Sequence, residues 1–195
     1  LIFYSFTFWA PTMMIRTYGI SLSEVGFILG IITIVSSITG TILAGSAVDF
    51  LRNRNYSDAP VRAAMIAVLL ALPPVVLLSF VQSEFAAWAC IALYLLFISS
   101  FAPLGLLAIS GVSAGNVKGQ LAAVHAFLMM AFGLSLGPQI TAFFTDFVFM
   151  NSDHLNWSIS LTGAIVLPIS AYLFKISLPK YAESSERIKY GLSLD

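Results

Sequence analysis

Residues 22–54 read LSEVGFILGIITIVSSITGTILAGSAVDFLRNR. The 24 residues from Val25 to Val48 hold no Asp, Glu, Lys or Arg, and the run closes on Asp49, Arg52 and Arg54. At 1.5 Å per residue it makes a helix of about 36 Å, long enough to cross a hydrocarbon core of about 30 Å. Its apolar residues are continuous and do not alternate, and the run is far longer than a barrel strand. This stretch therefore predicts a membrane-spanning helix bounded by charge.

The rest of the chain repeats that pattern. Of 195 residues, 59% are hydrophobic and 9% are charged, where a soluble domain carries about 25%. The formal net charge of zero argues against a nucleic-acid partner. Six spans are expected, at about 1–16, 22–48, 61–81, 85–112, 119–145 and 157–178. Together they form a bundle over 1–178, followed by a polar segment, 179–195, expected to be a flexible or interfacial cytoplasmic tail. The chain opens in apolar sequence at Leu1-Ile2-Phe3-Tyr4, so the first helix reads as truncated and the chain as a fragment. Cys90 is the single cysteine, which rules out a disulfide within the chain. Pro73, Pro74, Pro103, Pro138 and Pro168 fall inside helices, where neighbouring helices and hydroxyls can satisfy the freed carbonyls.

Basic residues orient the bundle. Arg52, Arg54, Arg62, Lys118, Lys175, Lys180, Arg187 and Lys189 fall on one side of it and Arg16 on the other. The positive-inside rule makes the richer side cytoplasmic, with both chain ends there, in a cell membrane crossed several times.

Self-similarity divides the six spans. Gly40 to Asp49-Phe50 and Gly137 to Asp146-Phe147 share one spacing at an offset of 97, and Trp9-Ala10-Pro11 matches Phe101-Ala102-Pro103. Spans two and five run in opposite directions, so the expected fold is an all-α membrane protein with six helices in a 3+3 inverted repeat, a transporter arrangement. Gly26/Gly30 and Gly133/Gly137 form GxxxG pairs, and Ser36, Gly40 and Ala44 continue a row of small residues suited to close helix packing.

The stretch Gly45-Ser-Ala-Val-Asp49-Phe-Leu-Arg52-Asn-Arg54 resembles the loop motif of the major facilitator superfamily, a Gly, three residues, an Asp and a basic cluster. Phe50 stands where a basic residue is usual, and Arg52 where a Gly often sits, an erosion more usual in the second copy of the motif. Trp9-Ala10-Pro11 with Arg16, Gly19 and Ser23-Glu24-Val25-Gly26, and Gly133-Leu-Ser-Leu-Gly137-Pro138 with Asp146, are similar to the C-terminal half of spinster-like members. The resemblance implies a twelve-helix protein of which this chain supplies helices seven to twelve, the N-terminal six being its partner. It implies secondary active transport by alternating access, with no cofactor. Gly45 and Asp49, with Arg52 or Arg54 holding the carboxylate, would then latch the cytoplasmic side. It also implies a cavity lined by spans one and four and flanked by two and five.

On those spans Tyr4, Phe8 and Thr12 are spaced by four, and Tyr94, Phe97 and Phe101 share a face in a continuous helix. Thr33 and Ser37 are the polar candidates of span two. His125 is the ionisable group set deepest, and imidazole is the side chain that changes charge nearest neutral pH. An aromatic, nearly uncharged wall suits an amphiphilic or hydrophobic organic solute, with a proton or sodium as the coupling ion.

Competing patterns are weaker. Gly111-Val-Ser113-Ala-Gly115 fits the G-x-S-x-G nucleophile pattern of a serine hydrolase, yet His125 lies about seven residues deeper and His154 on the far side. The chain has no Walker loop, HExxH or CxxC, so neither an ATP-driven pump nor a metal site is indicated, and transport rather than enzymatic chemistry is expected. A structural membrane subunit is the other alternative. Asn156-Trp157-Ser158 forms a glycosylation sequon on the outer side.

Overall fold

The computed structural model describes residues 1–113, 115 and 117–189. They are helical nearly throughout: α1 Ile2–Tyr18, α2 Leu22–Asn53, α3 Ala59–Leu77, α4 Glu84–Ile98, α5 Phe101–Gly111, α6 Lys118–Phe143 and α7 Leu155–Lys189. A six-residue π-helical turn, Phe144–Phe149, prolongs α6, and a 3-10 turn, Ser152–His154, precedes α7. Continuous apolar runs dictate this outcome, because backbone N–H and C=O groups in hydrocarbon must be satisfied within the segment. Five stretches are long and apolar enough to cross a membrane: Leu22–Asn53, Ala59–Leu77, Glu84–Gly111, Lys118–Phe149 and Ser152–Ile188. The chain is thus a multi-pass membrane protein. The first of the six expected spans, α1, falls just short of that length at 17 residues.

Local sequence sets the boundaries. Ser21 caps α2, its hydroxyl accepting from Glu24 N at 3.3 Å, and Gly19 adopts the left-handed conformation that ends α1. Span four carries a gap in its hydrogen-bond ladder. Pro103 offers no N–H to the Ser99 carbonyl, and the ladder lapses at Ser99-Ser100, which keep right-handed helical dihedrals. Both hydroxyls turn to α2: Ser99 Oγ donates to Ser36 O at 3.2 Å and Ser100 Oγ to Gly40 O at 3.0 Å. Tyr94 and Phe97 precede this gap and Phe101 follows it. The tail also differs from expectation. Helix α7 runs through Pro179 to Lys189, and Tyr181 Oη donates to Ala108 O of α5 at 2.9 Å. The tail residues from 190 on lie outside the described set.

At the centre α3 and α7 pack along their length, while α1 packs on α6 and α2 on α4. Two glycines allow the last two contacts. A Cβ on Gly40 would land on Leu96 O and Ser99 Oγ; one on Gly137 would land 2.7 Å from Leu1 O and 3.1 Å from Ser5 N. The other GxxxG pair is unused among the described residues, since a Cβ on Gly26 or Gly30 would meet nothing within 4 Å there.

Buried hydroxyls stitch the helices together. Ser5 Oγ and Thr141 Oγ1 lie 2.6 Å apart, Thr141 Oγ1 and Thr162 Oγ1 3.0 Å, and Thr145 Oγ1 donates to Ser158 Oγ at 2.8 Å. Ser160 Oγ donates to Val75 O at 2.8 Å, just past the Pro73-Pro74 pair. Asn156 is buried, with its amide 3.4 Å from Ser79 O, and Ser158 is fully buried. The sequon is therefore buried in the folded bundle.

Candidate solute-binding site

The expected solute-site residues divide among five places, with Thr12 and Thr33 outside them. Tyr4 and Phe8 line an open groove of about 620 Å³ between α1 and α6, together with Thr7, Leu134, Ser135, Pro138 and Gln139. Tyr4, Ser37 and Phe101 line a second cavity of about 280 Å³ inside the bundle, with Ser99, Met129 and Ser170. Phe97 borders a shallow apolar depression among α2, α3 and α5. Thr12 and Thr33 are half-buried and line none of these. Tyr94 is a core residue: it is fully buried, its ring centroid lies 4.3 Å from that of Phe6, and its hydroxyl has no partner. Its placement on a cavity wall is thus corrected, because the turn it occupies faces α1.

His125 sits in the seam between α6 and α5. Its Nε2 occupies the space that a Cβ on Gly105 would need, 2.6 Å away, and that nitrogen is buried without a partner. The serine-hydrolase geometry does not form. Ser113 Oγ donates to Ile109 O at 2.6 Å, back onto the last turn of α5, and His125 faces Gly105. Ala114 of that pattern lies outside the described residues.

The groove is held by its own walls. Trp9 Nε1 donates to Pro138 O at 2.9 Å, fixing α1 against α6, and the Phe8 ring stands edge-on to Trp9 at 5.2 Å. Tyr4 packs over Gly133, whose missing Cβ leaves room for the ring. Thr7, Ser135 and Gln139 are exposed beside these aromatics. Sequence reading passed over all three. Their signal was present as polar residues in otherwise apolar spans, with Gln139 directly after Gly137-Pro138.

At the basic end the expected latch residues lie apart. Asp49, Arg52 and Arg54 are exposed, and Gly45 has open space around it. Among the described residues the ion pairs are Arg62–Asp58 and Arg187–Glu183. The pairing of Asp49 with Arg52 or Arg54 is therefore corrected. Arg54 lies five residues on, about 140° around the helix, and its guanidinium stacks on the Phe50 ring, 4.4 Å from the centroid. Arg52 instead borders a polar pocket of about 450 Å³ shared with Tyr56, Tyr181 and Glu186. The ion pair built into the fold is Asp58–Arg62, bidentate at 3.0 and 2.7 Å, with Arg62 also over the Tyr56 ring at 4.3 Å. Sequence reading used Arg62 only for orientation, although Asp and Arg four apart in a helix are a pairing signal.

No family model matches the chain. It is 25% identical over 175 residues to the uncharacterized transporter YybO of Bacillus subtilis (strain 168), a match covering 84% of this chain. The chain spans 38% of that relative's length. A multi-pass helical bundle with an open polar groove is thus distantly similar to a protein named as a transporter.

Proposed function

We propose that this chain is the C-terminal six-helix half of a major-facilitator-type secondary transporter, close to the spinster-like branch. It moves a small amphiphilic or hydrophobic organic solute by alternating access. The observation that carries this reading is the open groove between α1 and α6, which holds exposed hydroxyls and an amide inside otherwise apolar helices. Hydrocarbon cannot satisfy such groups, so water or a polar solute must. The 3+3 inverted repeat is supported by the helix pairing. Gly40 of α2 meets span four, and Gly137 of α6, its counterpart at the offset of 97, meets α1. Both α2 and α6 expose long apolar faces, which favours coverage by the remaining half of the protein. The bias of Lys and Arg to one end supports a cytoplasmic C-terminus.

The test is flux through the full-length protein in proteoliposomes, with and without a pH or sodium gradient. Gradient-sensitive flux of an amphiphilic fluorescent solute is the expected result; no flux of any solute would favour a structural subunit. In the same assay Asp49→Asn is expected to lower transport severalfold while leaving membrane insertion intact, because it removes a carboxylate poised for a helix N-terminus of the other half. Unchanged transport would remove the latch role. His125 is assigned here to a coupling proton. His125→Gln keeps polarity without a basic ring nitrogen, and the dependence on a pH gradient should flatten while exchange at equal pH persists. A gradient response equal to wild type would discard that assignment.

A further inference from the structure

The geometry points to Gln139 as the anchor of the solute site, and to the α1–α6 groove as a receptor for the uncharged, amide-like hydrogen-bonding edge of an aromatic solute. This rests on the transport reading and names the chemistry its site selects. Gln139 lies ten residues from Phe149, and Thr7 lies eleven from Tyr18. At 1.5 Å per residue both are about 15 Å from the end opposite the basic residues, near the middle of a core about 30 Å thick.

The polar inventory there is specific. Gln139 and Ser135 are exposed and make no hydrogen bond among the described residues. Pro138 has no N–H, so the Leu134 carbonyl loses its helical donor, and Leu134 also lines the groove. Thr7 spends its proton on Phe3 O at 2.8 Å and keeps only acceptor capacity. The groove thus presents carboxamide N–H donors and a Ser hydroxyl beside the carboxamide oxygen, the Thr7 oxygen and a free backbone carbonyl. That set is complementary to adjacent donor and acceptor groups, as in an amide. None of the residues lining the groove is Asp, Glu, Lys, Arg or His, so this wall has nothing to neutralise an ionised group. Tyr4 and Phe8 flank the polar edge and suit a flat apolar body. Acyl chains would leave the Gln139 carboxamide and the Ser135 hydroxyl unpaired, which favours a polar occupant over lipid.

The test uses cysteine accessibility in the full-length protein, with Cys90 replaced by Ala and any other cysteine removed. Ser135→Cys and Gln139→Cys are treated with the charged, membrane-impermeant reagent sulfonatoethyl methanethiosulfonate. Leu136→Cys, on the same helix but turned away from the groove, serves as control. Ser135→Cys and Gln139→Cys should react at least tenfold faster than the control. Benzamide is the probe, and ethylbenzene is its counterpart without the amide. At near-saturating benzamide the labelling of Ser135→Cys should slow roughly tenfold by mass action. Ethylbenzene should have no such effect. Adding Gln139→Leu should weaken benzamide protection by roughly tenfold, the loss expected when a buried partner is left unpaired. Protection that survives Gln139→Leu, or equal protection by ethylbenzene, overturns the anchor while leaving a water-filled transport path in place. Labelling no faster than at Leu136→Cys means that lipid or another segment fills the groove, and overturns both the anchor and the path.

Discussion

Gly40→Leu is expected to prevent recovery of a monodisperse protein from detergent, or to lower its stability by about 3 kcal/mol or more. The new Cβ would enter the space of Leu96 O and Ser99 Oγ, and the obstacle is backbone rather than the end of a flexible side chain. Helix α2 must then move off α4. That movement also breaks the bonds from Ser99 to Ser36 O and from Ser100 to Gly40 O, which cap the interruption of span four. Gly26→Leu is the matched control: the same helix and the same added volume, with nothing within 4 Å of the new Cβ. Its effect should stay within about 0.5 kcal/mol. Thermal denaturation followed by size-exclusion chromatography reads both. Equal losses at the two positions would show that the α2–α4 approach does not hold the bundle together.

Arg62→Met should be the most damaging change of a single charge. Asp58 has a side chain 7% exposed and depends on the bidentate guanidinium, itself 30% exposed. Removing the Arg strands a buried carboxylate, at a cost of about 3–5 kcal/mol. The positive N-terminus of α3, which begins at Ala59, offsets only a fraction of that loss, typically about 0.3–1 kcal/mol. Asp58→Asn combined with Arg62→Met removes both charges and should recover most of the stability, because a buried pair replaced as a unit is nearly neutral. A double variant as unstable as Arg62→Met alone would show that the pair contributes packing rather than charge compensation.

Much of the fold was legible because hydrocarbon tolerates so few backbone solutions. Continuous apolar runs such as Val25 to Val48 could only be helices. Sequence gave a less certain account where one residue changes backbone chemistry without changing hydropathy. Pro103 is compatible with a continuous span, yet the freed carbonyl and two adjacent serines with acceptors on α2 open a gap in its hydrogen-bond ladder. Pro179 looked like the start of a loose tail, yet Tyr181, two residues on, could reach α5. Site residues were harder. Spacing by four finds a helix face and not its neighbour, so Tyr4 and Phe8 fell on the groove while Tyr94 fell in the core. Gln139 and Ser135 were passed over because no charge marks them, although an unpaired amide in hydrocarbon still costs roughly 2–7 kcal/mol.

The contact between Tyr181 and Ala108 has a mechanical consequence. Helix α7 has 35 residues and a length of about 52 Å, greater than the hydrocarbon thickness. Its distal part is fastened to α5, the short piece below the interruption of span four. Any swing of that distal part would therefore carry α5 with it. A pair of spin labels, one near residue 186 and one on α2, would read that swing as a change in distance, a ruler that requires no knowledge of the cargo.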